Sequence, residues 1–146
     1  MSIHFSHTID VGYEPKKVFA LLDDLASTPK WLERCVAIEK LSPGPNAVGT
    51  KLRYAYREAG RTSAMEGEIV ARIADERLTF RYGDKMLEVA VDFHVTGAAT
   101  GARLTHTIDI TPKNVLAKMF APFIGRGLPR QTITAMQRFS ALLDQS

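Results

Sequence analysis

Between Cys35 and Ile110 the chain offers six strand-length segments in succession, at 35–41, 50–58, 62–73, 77–83, 86–96 and 102–110. Only turn-forming residues separate them: Pro43-Gly44-Pro45-Asn46, Ala59-Gly60, Asp75-Glu76, Gly83-Asp84 and the run from Gly97 to Gly101. Links this short join neighbouring antiparallel strands, because a parallel crossover needs a dozen residues or more. The stretch therefore predicts an antiparallel meander with one face left for other elements to cover.

Those elements are found on either side of it. Ile3, Phe5, His7, Ile9 and Val11 alternate along 3–11 as a further half-buried strand. Pro15 suits a first helical position, with Val18, Leu21, Leu22 and Leu25 following at helical spacing. Thr28-Pro29 repeats the signal and starts a second short helix, carrying Trp31 and Leu32 and ending near Arg34. Thr111-Pro112 is a third start of the same kind, and from Ile133 the residues Met136, Phe139 and Leu143 hold one helical face. The order is strand, two short helices, six strands and a long helix, an α+β layout with helices against an antiparallel sheet.

Within that last helix lies FAPFIGRGLP, residues 120–129, with Pro122, Pro129, Gly125 and Gly127. Each Pro inside a helix costs about 3 kcal/mol and each Gly about 1 kcal/mol relative to Ala. Such a stretch is expected either to bend around an opening or to be a kinked helix fitted to a curved sheet.

At 146 residues, 45% apolar and 24% charged, the chain is expected to form a single domain over 1–146. It has no run of about 18 apolar residues and no basic-then-apolar start in MSIHFSHTID, so a cytoplasmic protein is expected. Cys35 is the only cysteine, which excludes an intrachain disulfide and a cysteine-based zinc site. A net charge of +3 without a Lys/Arg-rich run or RNP-like motif argues against nucleic acid. Phosphate loops, nucleotide fingerprints, nucleophile elbows and metal-ligand spacings are lacking, so neither a cofactor nor a metal is implied.

Alternation also assigns faces. Met65, Gly67, Ile69, Ala71 and Ile73 are expected inside, with Glu66, Glu68 and Arg72 outside. Leu78, Phe80 and Tyr82 face in, as do Leu87, Val89, Val91, Phe93 and Val95, which leaves Asp92 and His94 outside. His7 joins the inner face of the first strand, His106 that of the last, and Leu52, Tyr54 and Tyr56 that of the strand at 50–58, with Glu58 at its end. A single bulge would reverse any of these from that point on. Asp23-Asp24, about 100° apart on a helix, do not face each other and are expected in solvent.

Four stretches, PKKVFALLDDL (15–25), Pro29-Lys30-Trp31, Val48-Gly49-Thr50-Lys51-Leu52 and IVARIADERLTF (69–80), make the chain resemble the START-like, helix-grip superfamily, in its polyketide cyclase/dehydrase-type branch. The resemblance implies a strongly bent sheet of about seven strands gripping the last helix, with a cavity for an apolar ligand between them. It also implies that the first and last strands are neighbours, bringing His7 and His106 together. The residues expected to line such a cavity are His7, Trp31, Tyr54, Tyr56, Met65, Ile69, Phe80, Tyr82, Val91, Phe93, His106, Phe120 and Ile124.

Two functional readings follow. In the first, the cavity binds or transfers a hydrophobic, aromatic or lipid-like molecule without chemistry. In the second, the chain is an enzyme of the polyketide cyclase or dehydratase kind, in which His106 moves a proton and Tyr54 or Tyr56 holds an enolate oxygen. No catalytic signature of the family can be matched residue by residue, and a core histidine satisfied by a tyrosine or a backbone carbonyl fits the same pattern. A third reading comes from the last 35 residues, where Lys113, Lys118, Arg126, Arg130 and Arg138 face a single acid, Asp144. With Met119, Phe120, Phe123 and Ile124 nearby, this stretch could dock on an anionic membrane as part of a lipid or quinone chaperone, or simply be a solvated basic face.

Overall fold

The computed structural model describes residues 2–58 and 60–145, so Ala59 of the expected Ala59-Gly60 turn lies outside the described residues. The elements are β1 (Ile3–Val11), α1 (Pro15–Asp23), a 3-10 turn (Leu25–Ser27), α2 (Thr28–Trp31), β2 (Cys35–Lys40), β3 (Lys51–Glu58), β4 (Arg61–Ile73), β5 (Arg77–Gly83), β6 (Leu87–Ala98), β7 (Gly101–Pro112) and α3 (Val115–Gln145). The strands form one antiparallel sheet in the order β1-β7-β6-β5-β4-β3-β2. Strands 2 to 7 are the expected meander. β1 adds to its far edge beside β7, in a register that sets His7 opposite His106.

Each strand obeys its alternation on the β1–β7 pair. Ser6 bonds Thr107 and Thr8 bonds Thr105, both at 3.0 Å, while Arg103 donates to Asp10 at 2.9 Å, all on the outer face. The inner face carries Val11, Ala102, Leu104, His106 and Ile110. It is covered by α1, α2 and α3, whose Val18, Leu22, Trp31, Met136, Phe139 and Leu143 complete the core with Leu52, Ile69 and Leu78. Fully burying side chains of this kind yields about 1.5–3 kcal/mol each.

The face assignment fails at one point on β4. The register slips between Ile69 and Ala71, so Val70 is an extra residue and every later side chain changes sides. Ile73 is therefore exposed, while Arg72 shares the side of its partner Leu78. Arg72 then reaches the end of α1, where it holds Asp23 through Nε–Oδ1 at 3.1 Å and Nη2–Oδ2 at 2.8 Å. Asp23 is thus half-buried and paired instead of solvated. Burial raises its pKa, but hydrogen bonds from Arg72 and Asn46 outweigh that and hold the carboxyl below its ordinary value.

The helix starts also differ. Thr111-Pro112 stays in β7, and the N-cap of α3 is Asn114, whose side-chain oxygen accepts the Ala117 N–H at 2.8 Å. Thr28 is inside α2 and gives no side-chain cap, and α2 stops at Trp31, short of Arg34. Neither Pro122 nor Pro129 breaks α3, which runs as one helix of 31 residues. A Cβ on Gly125 would sit 3.6 Å from Ile3, an ordinary contact, so steric room is not what that glycine provides.

Candidate functional site

The sheet and α3 do not close on each other along their whole length. Between them is a cavity of about 200 Å³. The sheet side is a row of rings running from β3 to β7. Tyr56 stacks on Tyr54 at 5.4 Å, Tyr54 meets Tyr82 at 5.1 Å, and Tyr82 stacks on Phe80 at 5.8 Å. Phe80 then meets Phe93 edge-on at 6.3 Å, and Phe93 lies parallel to the His106 imidazole at 4.4 Å. Such offset and edge-on separations are the favoured ones for aromatic pairs.

The row is continuous because of Gly67. It stands opposite Tyr82 in the β4–β5 register, and a Cβ there would lie 2.5 Å from the Tyr82 ring and 2.2 Å from the Arg81 carbonyl oxygen. The missing side chain lets the Tyr82 ring cross β4 and reach Tyr54. Met65 fills the neighbouring inner position of β4. Val91, Leu87 and Val89 of β6 and Ile108 and Ile110 of β7 add aliphatic wall, while Ile124, Leu128, Thr132 and Ala135 supply the helix side.

Two buried nitrogens in this wall have no hydrogen-bond partner among the described residues: Trp31 Nε1 and His106 Nδ1. Both rings pack on Phe93, Trp31 edge-on at 5.7 Å. Leaving such groups unpaired costs about 1–3 kcal/mol each, so they are places where a ligand's oxygen would be favoured. Burial, with the charge of nearby His7 adding to it, drives the His106 pKa down to about 3. The imidazole is thus neutral at neutral pH, with one N–H donor and one acceptor nitrogen. Burial also holds the Tyr54 and Tyr82 phenols well above their ordinary value, so both remain protonated donors. The Cys35 thiol is pushed up to about 12 by burial and is a packing group, not a nucleophile.

Polar side chains gather at one rim. Glu33, Arg34, Glu58, Gln131 and Thr134 border the cavity there. Arg34 donates from Nε to the Arg57 carbonyl at 3.3 Å and from Nη1 to Gln131 Oε1 at 3.4 Å, tying α2's exit and β3 to α3.

Of the residues expected to line a cavity, the structure gathers Trp31, Tyr54, Tyr56, Met65, Phe80, Tyr82, Val91, Phe93, His106 and Ile124 around this one. Three lie elsewhere. His7 is on the inner face of β1, the edge strand that packs against α3 beyond the cavity wall. Ile69 is fully enclosed in the closed part of the core with Leu52 and Leu78. Phe120 points away from the sheet, because Ala117, Ala121, Ile124 and Leu128 form the inner line of α3. Sequence reading passed over Arg34, Leu128, Gln131 and Thr132. The last three follow Ile124 at spacings of three and four residues, so helical periodicity carried the signal for Leu128 and Thr132.

The fold and this cavity accord with a match of residues 2–143 to the family described as "Polyketide cyclase / dehydrase and lipid transport". The chain belongs to that family. Its fold is that of the Zhui aromatase/cyclase from Streptomyces sp. R1128, at 12% identity and TM-score 0.82, covering 99% of this chain and 95% of that one. A START superfamily protein from Mycobacterium smegmatis superposes with TM-score 0.78 at 11% identity, covering 97% of each chain. Ara h 8.0201 does so with TM-score 0.75 at 16% identity over the whole of both chains. At these identities the likeness is one of fold. No curated protein matches the sequence.

Proposed function

We propose that this family member binds a hydrophobic small molecule, aromatic or lipid-like, in the cavity between the sheet and α3, without making or breaking a bond. The observation that carries the reading is the cavity wall itself: a row of six rings, with two nitrogens that lack a partner among the described residues, Trp31 Nε1 and His106 Nδ1, beside Phe93. A flat apolar ligand would stack on the ring row and direct a carbonyl or hydroxyl oxygen at the indole N–H. Volume limits its size. Engineered apolar cavities of about 150 Å³ take up benzene, so about 200 Å³ suits one or two rings or a short chain. Native mass spectrometry of the purified protein, then denaturing extraction, tests the reading. A co-purified aromatic or lipid that is lost in Trp31→Phe and His106→Leu supports it; a protein that binds nothing from a hydrophobic library refutes it.

The second reading, a cyclase or dehydratase, is favoured by the likeness to an aromatase/cyclase. It has less support in the chemistry. A histidine whose pKa is depressed to about 3 is a weak base, because catalytic groups work best when they titrate near the operating pH. Turnover of aromatic polyketones by the parent and by His106→Ala separates the two: turnover abolished by the substitution would favour the enzyme.

A further inference from the structure

Five large apolar side chains on the first three turns of α3 are exposed to between 51% and 75%: Val115, Leu116, Met119, Phe120 and Phe123. They do not belong to the cavity, which takes the opposite side of the same helix through Ile124 and Leu128. Val115, Met119, Phe123, Arg126 and Arg130 succeed one another at spacings of four, four, three and four residues, so the apolar line continues directly into two arginines on the outer face. The Arg126 guanidinium lies over the Phe123 ring at 5.7 Å, which joins the apolar and cationic parts into one surface. Lys118 flanks it on the helix. Lys113 stands just ahead of it, and its ammonium is held by the Asp84 carbonyl at 2.8 Å. Between Pro112 and Leu143 the chain contains no Asp or Glu.

We infer that this outer face of α3 docks the protein on an anionic lipid membrane, with the five apolar side chains entering the headgroup boundary and Lys118, Arg126 and Arg130 meeting lipid phosphates. An exposed amphipathic helix with Phe and Leu on one part and Lys/Arg beside it has the composition of an interfacial anchor. Charge decides against a second copy of this chain as the occupant. A two-fold contact brings the same patch against itself and would set these cations face to face. No helix among the described residues is long and apolar enough to cross a membrane, so the contact is lateral. The inference is independent of what the cavity holds.

The test is co-sedimentation with vesicles of phosphatidylcholine alone and of phosphatidylcholine with phosphatidylglycerol. The protein is expected to pellet only with the anionic vesicles and to release as ionic strength rises toward about 0.5 M, where charges farther apart than a few ångströms are screened. Phe120→Asp/Phe123→Asp and, separately, Arg126→Glu/Arg130→Glu are expected to lower partitioning by about tenfold or more. All four positions are on the outer face, so unchanged circular dichroism and thermal midpoint show that the fold is retained. Failure to pellet with anionic vesicles at low salt overturns the inference, as does pelleting that both double variants leave unchanged. A concentration-dependent dimer in the parent that the aspartate variant dissolves would make the face a protein interface and overturn it equally.

Discussion

The two halves of α3 are built on one helix and do different things. From Thr132 to Leu143 the helix presses Met136, Phe139 and Leu143 into the sheet until nothing of them is exposed, and Phe139 meets Trp31 edge-on at 5.2 Å. From Val115 to Leu128 its inner line is Ala117, Ala121, Ile124 and Leu128, and the largest apolar side chains are on the outside. One half puts its bulk into the core, the other onto the surface. The cavity lies where the two halves meet, bordered on α3 by Ile124 and Leu128 of the first and Thr132 and Ala135 of the second. Pro122 lies in the first half and Pro129 at the junction, both outside the segment that buries Met136, Phe139 and Leu143, so the backbone bonds they remove disturb less of the core.

The comparison is broken most sharply by truncating one ring in each half. Phe139→Ala is expected to lose about 3–5 kcal/mol of stability, the transfer energy of the ring plus the cost of the hole it leaves. Phe123→Ala should change stability by no more than about 0.5 kcal/mol, as surface substitutions do. Urea unfolding of both variants measures the contrast. Equal losses would mean that the outer face of the first half is packed after all.

On the sheet side, Gly67→Ala is the next most disruptive change. Its new Cβ would meet backbone, the Arg81 carbonyl oxygen at 2.2 Å, as well as the Tyr82 ring at 2.5 Å, so neither neighbour can yield cheaply. A loss on the order of 2 kcal/mol is expected, as for other forced overpacking. The near-ultraviolet circular dichroism of the tyrosines should change with it as Tyr82 leaves Tyr54. A variant with parental stability and spectrum would show that the ring row does not depend on this glycine.

The strands, their partners and most inner faces were legible from the sequence, because alternation over short links leaves little choice of pairing. Met65, Phe80, Tyr82, Phe93 and His106 were all placed inside by that rule. It gave way at Val70, since a bulge shows itself only when two strands are paired, and with it went the partners of Arg72 and Asp23. Alternation also says which residues face inward but not whether space remains in front of them. Ile69 and Phe80 have the same pattern and stand opposite each other in the β4–β5 register, yet one is sealed and the other lines the cavity. Whether α3 stands off the sheet depends on volumes summed over several elements, which no local pattern contains. Phe120 was misplaced for a different reason: four residues before Ile124 it fits the helical period, but the buried line runs through Ala117 and Ala121 and leaves Phe120 on its outer flank.

His106 tests where the sealed region ends. The ring is 2% exposed and borders both regions, stacked on Phe93 and facing the cavity. Its pKa falls from 6.5 in the unfolded chain to about 3 in the fold, so below pH 6.5 the unfolded state binds a proton that the native state refuses. Stability must therefore fall as pH falls, and is fully present only above 6.5. Between pH 6.5 and 5 the expected loss is about 1.5 kcal/mol, read as the change in urea midpoint, and a His106→Gln variant should lose that slope. Imidazole resonances of the parent give a second reading that requires no variant, and those of His106 should not shift across this range. A ring that titrates near 6.5 would mean that water reaches it through the cavity, and the sealed half of the molecule would then stop short of β7. It would also restore to His106 the basicity that proton transfer needs, so the same titration decides between a wall that binds and a wall that reacts.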